Sequence, residues 1–115
     1  MDTIEITSGE NISLDELGQL LAKHWKLLNT PSDRLAIEES NSRVYIYHPK
    51  QESGEEDPRR IFVEYSWTDL IKRVIEVIAD NPRLLIDNDF GTGLPGDQFV
   101  ARLRTDPTWD WRSRR

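Results

Sequence analysis

The chain has no cysteine among its 115 residues, and this absence removes several classes of site at once. It excludes a disulfide framework, a thiol nucleophile, Cys-ligated zinc and iron–sulfur clusters from this sequence. A single domain of this length buries roughly two-thirds of the surface that its unfolded chain exposes, so it can fold without a metal or a disulfide. The sequence therefore predicts one compact domain, and it is too short for a multidomain enzyme.

Long hydrophobic runs are also missing. No apolar stretch approaches the roughly 18 residues that a membrane span needs. The start of the chain, from Met1 to Glu5, lacks the basic residues and apolar stretch of a signal peptide. These features predict a cytoplasmic protein with no membrane partner.

Catalytic signatures are scarce in this sequence. It contains no G-x-S-x-G, H-E-x-x-H, P-loop or zinc-deaminase pattern. His24 falls on the apolar side of a predicted helix and His48 at the end of a predicted strand, where packing or solvent contact accounts for each of them. We therefore expect no enzyme and no cofactor, although a site assembled from distant residues would leave no local pattern.

Charge is unevenly distributed along the chain. Residues 1–57 hold 12 acidic and 5 basic side chains, whereas residues 58–115 hold 9 and 10. The net charge of −6 repels nucleic-acid phosphates and attracts basic partners at long range. We expect a protein partner with a basic surface and no nucleic-acid partner. The simpler interpretation is that the acidic surface keeps the protein in solution.

Hydrophobic periodicity predicts the secondary structure. Ser13 and Glu16 form a capping box before an amphipathic helix that is expected to end near Asn29. Further helices are predicted between Ser66 and Asn81 and after Pro95. Strands are predicted over 34–39, 43–48, 59–66 and 84–86, with an added edge strand over 3–7.

This order of elements predicts an α+β fold. We expect a mostly antiparallel sheet of about four strands, with two or three helices packed on one face. The domain is expected to span residues 1–108, followed by a basic, aromatic C-terminal tail over residues 109–115.

An acidic segment separates two of the predicted strands. Residues 49–58 contain no large apolar side chain, so they cannot form part of a core. We expect an exposed, mobile loop that joins neighbouring antiparallel strands. Its acidic side chains are candidates for partner binding: Glu52, Glu55, Glu56 and Asp57.

The tail is unusual because it places tryptophan among polar residues. Trp109, Trp111 and Arg112 are candidates for partner binding, since Trp and Arg contribute a disproportionate share of the energy at protein interfaces. We expect one ring to fold back onto the domain and the other to stay exposed. In the alternative, both rings cover the edge of the core.

The glycine-rich segment over residues 87–97 supports three interpretations. Its G-x-G-x-x-G pattern, from Gly91 to Gly96, resembles a dinucleotide-binding loop, but only 19 residues follow and nearby carboxylates repel phosphate. Asp87 and Asp89 are candidate metal ligands, although the spacing does not fit an EF-hand. In the third interpretation, the glycines supply turn conformations and the acids favour the start of the next helix.

These patterns favour a non-enzymatic protein-interaction domain, an inhibitor, immunity-like protein or adaptor that masks a basic surface. The alternative is a domain or enzyme that binds a small ligand or divalent cation through residues 87–97. A third hypothesis is a structural subunit, including a homo-oligomer, whose partner covers the aromatic tail.

Overall fold

A computed structural model of the chain describes residues 2–30, 33–66, 68–88 and 91–111. Six strands and three helices follow one another within these ranges. In chain order they are β1 (Asp2–Ser8), α1 (Leu14–Ala22), β2 (Arg34–Glu39), β3 (Ser42–Tyr47), β4 (Arg60–Tyr65), α2 (Thr68–Ile78), β5 (Leu84–Asp87), β6 (Gly93–Pro95) and α3 (Gly96–Thr105).

The strands form one antiparallel sheet in the order β2-β3-β4-β1-β5-β6. The predicted α+β class is confirmed, but the sheet has six strands rather than about four. The expectation that residues 3–7 form an edge strand is wrong. β1 pairs with β4 on one side and β5 on the other, which places Ile4 and Ile6 at the centre of the core. β6 was not anticipated, because it is short and contains both Gly and Pro.

Alternation along the strands divides the sheet into two faces. One face carries apolar side chains that are at most 1% exposed and that share a single core with the three helices. These strand residues include Ile4, Ile6, Val44, Ile46, Ile61, Val63, Tyr65 and Ile86. The other face carries Glu5, Tyr47 and Phe62, and no helix of the described ranges covers it. We call it the open face.

The helices begin close to the predicted positions. The Ser13 hydroxyl accepts a 3.2 Å hydrogen bond from the backbone N–H of Glu16, which is one of the two hydrogen bonds of a capping box. α2 ends before Asn81, and α3 begins at Gly96, directly after Pro95. Within the described part of the chain, no helix is long and apolar enough to cross a membrane.

α1 is shorter than its apolar periodicity suggests. It ends at Ala22 rather than near Asn29. The chain then turns and runs beside β2, where the backbone N–H of Leu28 donates to the Ala36 carbonyl at 2.9 Å. Apolar spacing continues past the helix because Trp25 and Leu27 pack on the same core in a different backbone conformation.

The C-terminal tryptophans are part of the core. Trp109 is 5% exposed and Trp111 is 1% exposed. The Trp111 ring lies 5.4 Å from that of Tyr65, and the Trp109 ring lies 4.9 Å from that of Phe99, measured between centroids. The expectation that one ring stays exposed is therefore wrong, and the alternative, in which both rings cover the edge of the core, is confirmed. Both rings belong to the core, although they lie within residues 109–115, which the sequence predicts to be a tail.

Candidate functional site on the open face

A row of side chains crosses the open face from strand to strand. Tyr47 lies opposite Phe62, Phe62 lies opposite Glu5, and Glu5 lies opposite Asp87. The strand register fixes this row, because residues that lie opposite each other in a sheet point to the same face. Two aromatic rings and two carboxylates therefore become neighbours although they come from four strands.

These four residues line a cavity of about 290 Å³ together with Thr3 and Ile4. The rings of Tyr47 and Phe62 meet edge to face, with centroids 5.9 Å apart and planes inclined at 79°. Aromatic rings and carboxylates both attract cations, the rings through their negative faces and the carboxylates through charge-assisted hydrogen bonds. The cavity therefore offers groups that attract a cation, and the guanidinium carbons of Arg34 and Arg60 already lie 5.9 Å and 5.6 Å from the centroids of the Tyr47 and Phe62 rings.

Arg60 links this row to the start of β4. Its Nε donates to Glu5 Oε1 at 2.5 Å, and its Nη1 lies 3.9 Å from Asp57 Oδ2. The guanidinium carbon lies 5.6 Å from the centroid of the Phe62 ring. The hydrogen bond to Glu5 raises the pKa of Arg60 above its ordinary value. Arg60 thus contacts both an acidic and an aromatic member of the row.

The Tyr47 phenol is held in its neutral form. Its hydroxyl donates to Glu64 Oε1 at 2.5 Å, and the Arg34 guanidinium lies 5.9 Å from its ring centroid. Burial raises the pKa of Tyr47 to about 12, and the hydrogen bond to Glu64 acts in the same direction. At neutral pH the phenol is therefore a hydrogen-bond donor that orients the Glu64 carboxylate.

The acidic loop between β3 and β4 folds back on itself, and we call residues 50–56 the acidic arm. Lys50 pairs with Glu56 as an isolated β-bridge, and Gly54 takes a positive φ of 87° at the turn. The candidate residues Glu52, Glu55 and Glu56 are exposed, as expected. Whether the arm is mobile stays a prediction.

Asp57 differs from the three glutamates of the arm. Its Oδ1 accepts a 3.1 Å hydrogen bond from the backbone N–H of Arg59, and it is only partly exposed. It therefore helps to hold the start of β4. A second cavity, which has Tyr47, Lys50 and Glu56 in its wall, connects the acidic arm to the open face.

Asn88 ties the glycine-rich segment to the C-terminal tryptophans. Its fully buried side chain donates to the Trp111 carbonyl and accepts a 2.9 Å hydrogen bond from the Thr92 backbone N–H. Its own backbone N–H donates to the Thr92 carbonyl at 3.0 Å. These bonds give Asn88 a structural role.

The glycines of this segment also serve the fold. Gly91 has a positive φ of 95°, which favours glycine. A Cβ atom at Gly96 would lie 2.0 Å from the Ala79 carbonyl oxygen, so this glycine allows the start of α3 to approach the end of α2. The third interpretation of the segment thus accounts for both residues without a bound ligand.

One of the two candidate metal ligands, Asp87, lies among the described residues. Asp87 lies on the open face beside Glu5, and Asp89 lies outside the described residues, as does the partner-binding candidate Arg112. Within residues 2–30, 33–66, 68–88 and 91–111, no group of three His, Asp or Glu side chains could hold a metal ion.

A second polar cluster, centred on Glu39, lies on the helix side of the sheet. The indole Nε1 of Trp25 donates to Glu39 Oε2 at 2.9 Å, and Arg73 donates to both carboxylate oxygens. Arg73, followed by Trp25, holds the pKa of the Glu39 carboxyl below its ordinary value. These bonds join β2, α2 and the turn after α1, so the cluster serves the fold.

Sequence reasoning missed most of the open-face row. The available signal was that aromatic residues alternate with Val and Ile in β3, as in Val44-Tyr45-Ile46-Tyr47, and that Phe62 stands between Ile61 and Val63 in β4. Glu5 gave no such signal, because its neighbours depend on β1 lying inside the sheet. Asp87 was singled out, but as a partner of Asp89.

Comparisons with known proteins do not assign the chain to a class. No protein-family model, no curated protein and no solved structure matches it. Function is therefore inferred from the open face and the acidic arm.

Proposed function

We propose that this chain is a non-catalytic, cytoplasmic protein-interaction domain that docks on a basic surface of another protein. The observation that carries the proposal is the open face, where aromatic rings and carboxylates stand together without a covering helix in the described ranges. Aromatic residues are enriched at the centres of protein interfaces. An inhibitor, immunity-like or adaptor role would use such a surface.

The acidic arm supports the same proposal. Glu52, Glu55 and Glu56 are exposed, and Glu56 shares the wall of a cavity with Tyr47. Exposed charges contribute little to affinity individually, but together they attract an oppositely charged partner and raise the association rate. The arm would steer the partner, and the aromatic row would provide the contact area.

The two histidines also favour a role without catalysis. The ring Nδ1 of His48 lies 2.8 Å from the Arg60 carbonyl oxygen, so this nitrogen is engaged by the backbone. His24 lies exposed beside Trp25, on the helix side of the sheet and away from the open-face cavity. His24 is therefore not placed to act on a group bound in the open-face cavity, and the backbone contact of His48 gives that residue a structural role.

The test begins with native mass spectrometry of the protein purified gently from its own cells. We expect a basic protein at fixed stoichiometry. The association rate with that protein is then compared between the wild type and a variant carrying Glu52→Gln, Glu55→Gln and Glu56→Gln. At low salt we expect this variant to associate about tenfold more slowly, with the difference shrinking as salt is raised.

The matched control removes the same number of charges elsewhere. Glu10→Gln, Asp15→Asn and Glu16→Gln lie at exposed positions around the start of α1. We expect the control to associate nearly as fast as the wild type. Equal slowing of both variants would show that only net charge matters, and a retained metal or small molecule without a protein would contradict the proposal.

A further inference from the structure

The cavity on the open face has two kinds of wall. The rings of Tyr47 and Phe62 form one side, and the carboxylates of Glu5 and Asp87 form the other. A group that satisfies both walls must be positively charged and must also present a flat or weakly hydrated surface to the rings. These two requirements restrict the groups that the cavity can bind more than acidic residues alone would do.

Glu5 has acceptor capacity that its described neighbours do not use. The Arg60 Nε bond at 2.5 Å and the Thr7 hydroxyl bond at 3.5 Å both go to Oε1. Among the described residues, no hydrogen bond reaches Glu5 Oε2. The Asp87 side chain is exposed on the adjoining strand. A cation that reaches Glu5 Oε2 would lie beside the exposed Asp87 carboxylate on the adjoining strand.

Arg60 shows within the same molecule that Glu5 and the Phe62 ring can contact one guanidinium together. It donates to Glu5 and lies over the Phe62 ring, with 5.6 Å between the guanidinium carbon and the ring centroid. A guanidinium is planar and weakly hydrated, and it presents several N–H donors in a fixed fork. A lysine ammonium is a compact, strongly hydrated charge that gains less from the rings.

We propose that the open-face cavity receives an arginine side chain of the basic partner. The guanidinium packs on the Tyr47 and Phe62 rings and donates to the carboxylates of Glu5 and Asp87. This inference rests on the proposed interaction function and adds the kind of side chain that the site recognises.

The experiment uses three peptides of equal length in which glycine alternates with arginine, lysine or citrulline. Citrulline keeps the shape of arginine but lacks its charge. Each peptide is titrated into the full ¹⁵N-labelled chain, and amide shifts are followed by NMR. We expect the arginine peptide to shift the amides of Glu5, Phe62 and Asp87. We also expect it to bind at least about threefold more tightly than the lysine peptide, with no saturable binding of citrulline.

Two variants test the two walls of the cavity. Asp87→Asn removes one carboxylate at an exposed position, and Phe62→Leu removes a ring while keeping an apolar side chain. Each is expected to weaken binding of the arginine peptide by about threefold to tenfold. Asp15→Asn is the matched control, because it removes an exposed carboxylate from α1, on the helix side of the sheet. The NMR spectrum of each variant reports whether its fold is kept. If Phe62→Leu does not fold, binding of the arginine peptide to Asp87→Asn alone tests the proposed site.

The outcomes separate this inference from the proposed function. If the arginine and lysine peptides bind equally well, or if Asp87→Asn binds like the wild type, the arginine site is rejected. If the peptides or the basic partner still bind and only the acidic-arm variant weakens them, the interaction function stands without this cavity. If no basic peptide and no basic partner binds, both proposals are wrong.

Discussion

Glu5 and Asp87 lie directly opposite each other on neighbouring antiparallel strands, and both carboxylates belong to the open face. Like charges in this position destabilise a sheet by a few tenths to about 1 kcal/mol. Arg60 offsets part of this cost through its 2.5 Å hydrogen bond to Glu5. The fold thus tolerates two adjacent acids beside aromatic rings, at a place where core packing does not require them.

The first prediction concerns the cation that accompanies Glu5. Arg60→Met keeps an unbranched apolar side chain but removes the guanidinium. We expect the free energy of unfolding to fall by about 1 kcal/mol, because Glu5 then faces Asp87 without its nearest cation. The loss stays modest because the Arg60 and Glu5 side chains are 35% and 31% exposed and solvent screens them. Urea denaturation measures it, with the exposed Arg59→Met as control. Equal stability of the two variants would contradict the assigned role.

The second prediction concerns the close approach of α2 and α3. In Gly96→Ala the new Cβ would lie 2.0 Å from the Ala79 carbonyl oxygen and 2.7 Å from that of Asn81. Backbone atoms cannot move aside as a flexible side chain can, so we expect a loss of about 3 kcal/mol or more. The control is Gly93→Ala, where the Cβ would meet no atom within 4 Å, and its effect should stay below about 1 kcal/mol. Thermal or urea unfolding compares the two. Similar losses would mean that Gly96 is not required for this packing.

The third prediction concerns Asn88. Its replacement by Ala leaves the Trp111 carbonyl and the Thr92 N–H without their partner in a buried setting. We expect a loss of about 2–3 kcal/mol, together with altered tryptophan fluorescence, because unmet buried polar groups are costly. Asn11→Ala at an exposed position is the control and should change neither signal. If Asn88→Ala kept wild-type stability, the link between this segment and the C-terminal residues would be wrong.

Local sequence patterns predicted most of the helices and strands because local chemistry determines them. The Ser13 capping box started α1, and the β-branched and aromatic residues of β3 and β4 formed strands. The central position of β1 could not be deduced, because pairing of Asp2–Ser8 with two distant strands is a tertiary choice. The number of strands was underestimated because β6 is short and contains both Gly and Pro.

The candidate functional residues also divide into those that local sequence patterns predicted and those whose surroundings depend on tertiary contacts. The exposure of Glu52, Glu55 and Glu56 followed from the local lack of apolar residues. Burial of Trp111 was one of two alternatives that the sequence left open, because its ring packs on Tyr65, which lies far away in the sequence. Asp87 was visible as a charged residue, but its neighbour Glu5 became known only from the strand register.

The last prediction is a pH dependence that originates in Tyr47. Its pKa is raised from an ordinary value of 10.0 to about 12, chiefly by burial and then by the hydrogen bond to Glu64. The folded state therefore retains a proton that the unfolded chain releases between these two values. The resulting stabilisation is fully present below about pH 10 and is lost as pH rises toward about 12.

Tyr47→Phe removes this contribution while keeping the ring. At pH 8 we expect the variant to be about 1 kcal/mol less stable than the wild type, because Glu64 loses its donor. The difference should shrink as the pH is raised from about 10 to about 12, since the wild type alone loses the stabilisation held by its Tyr47 proton. Comparing wild type with variant at each pH cancels the titration of the remaining tyrosines and lysines. Tyr45→Phe is the control for a general effect of removing a tyrosine hydroxyl. If the difference in stability between the wild type and Tyr47→Phe did not change with pH, the raised pKa of the Tyr47 phenol would be wrong.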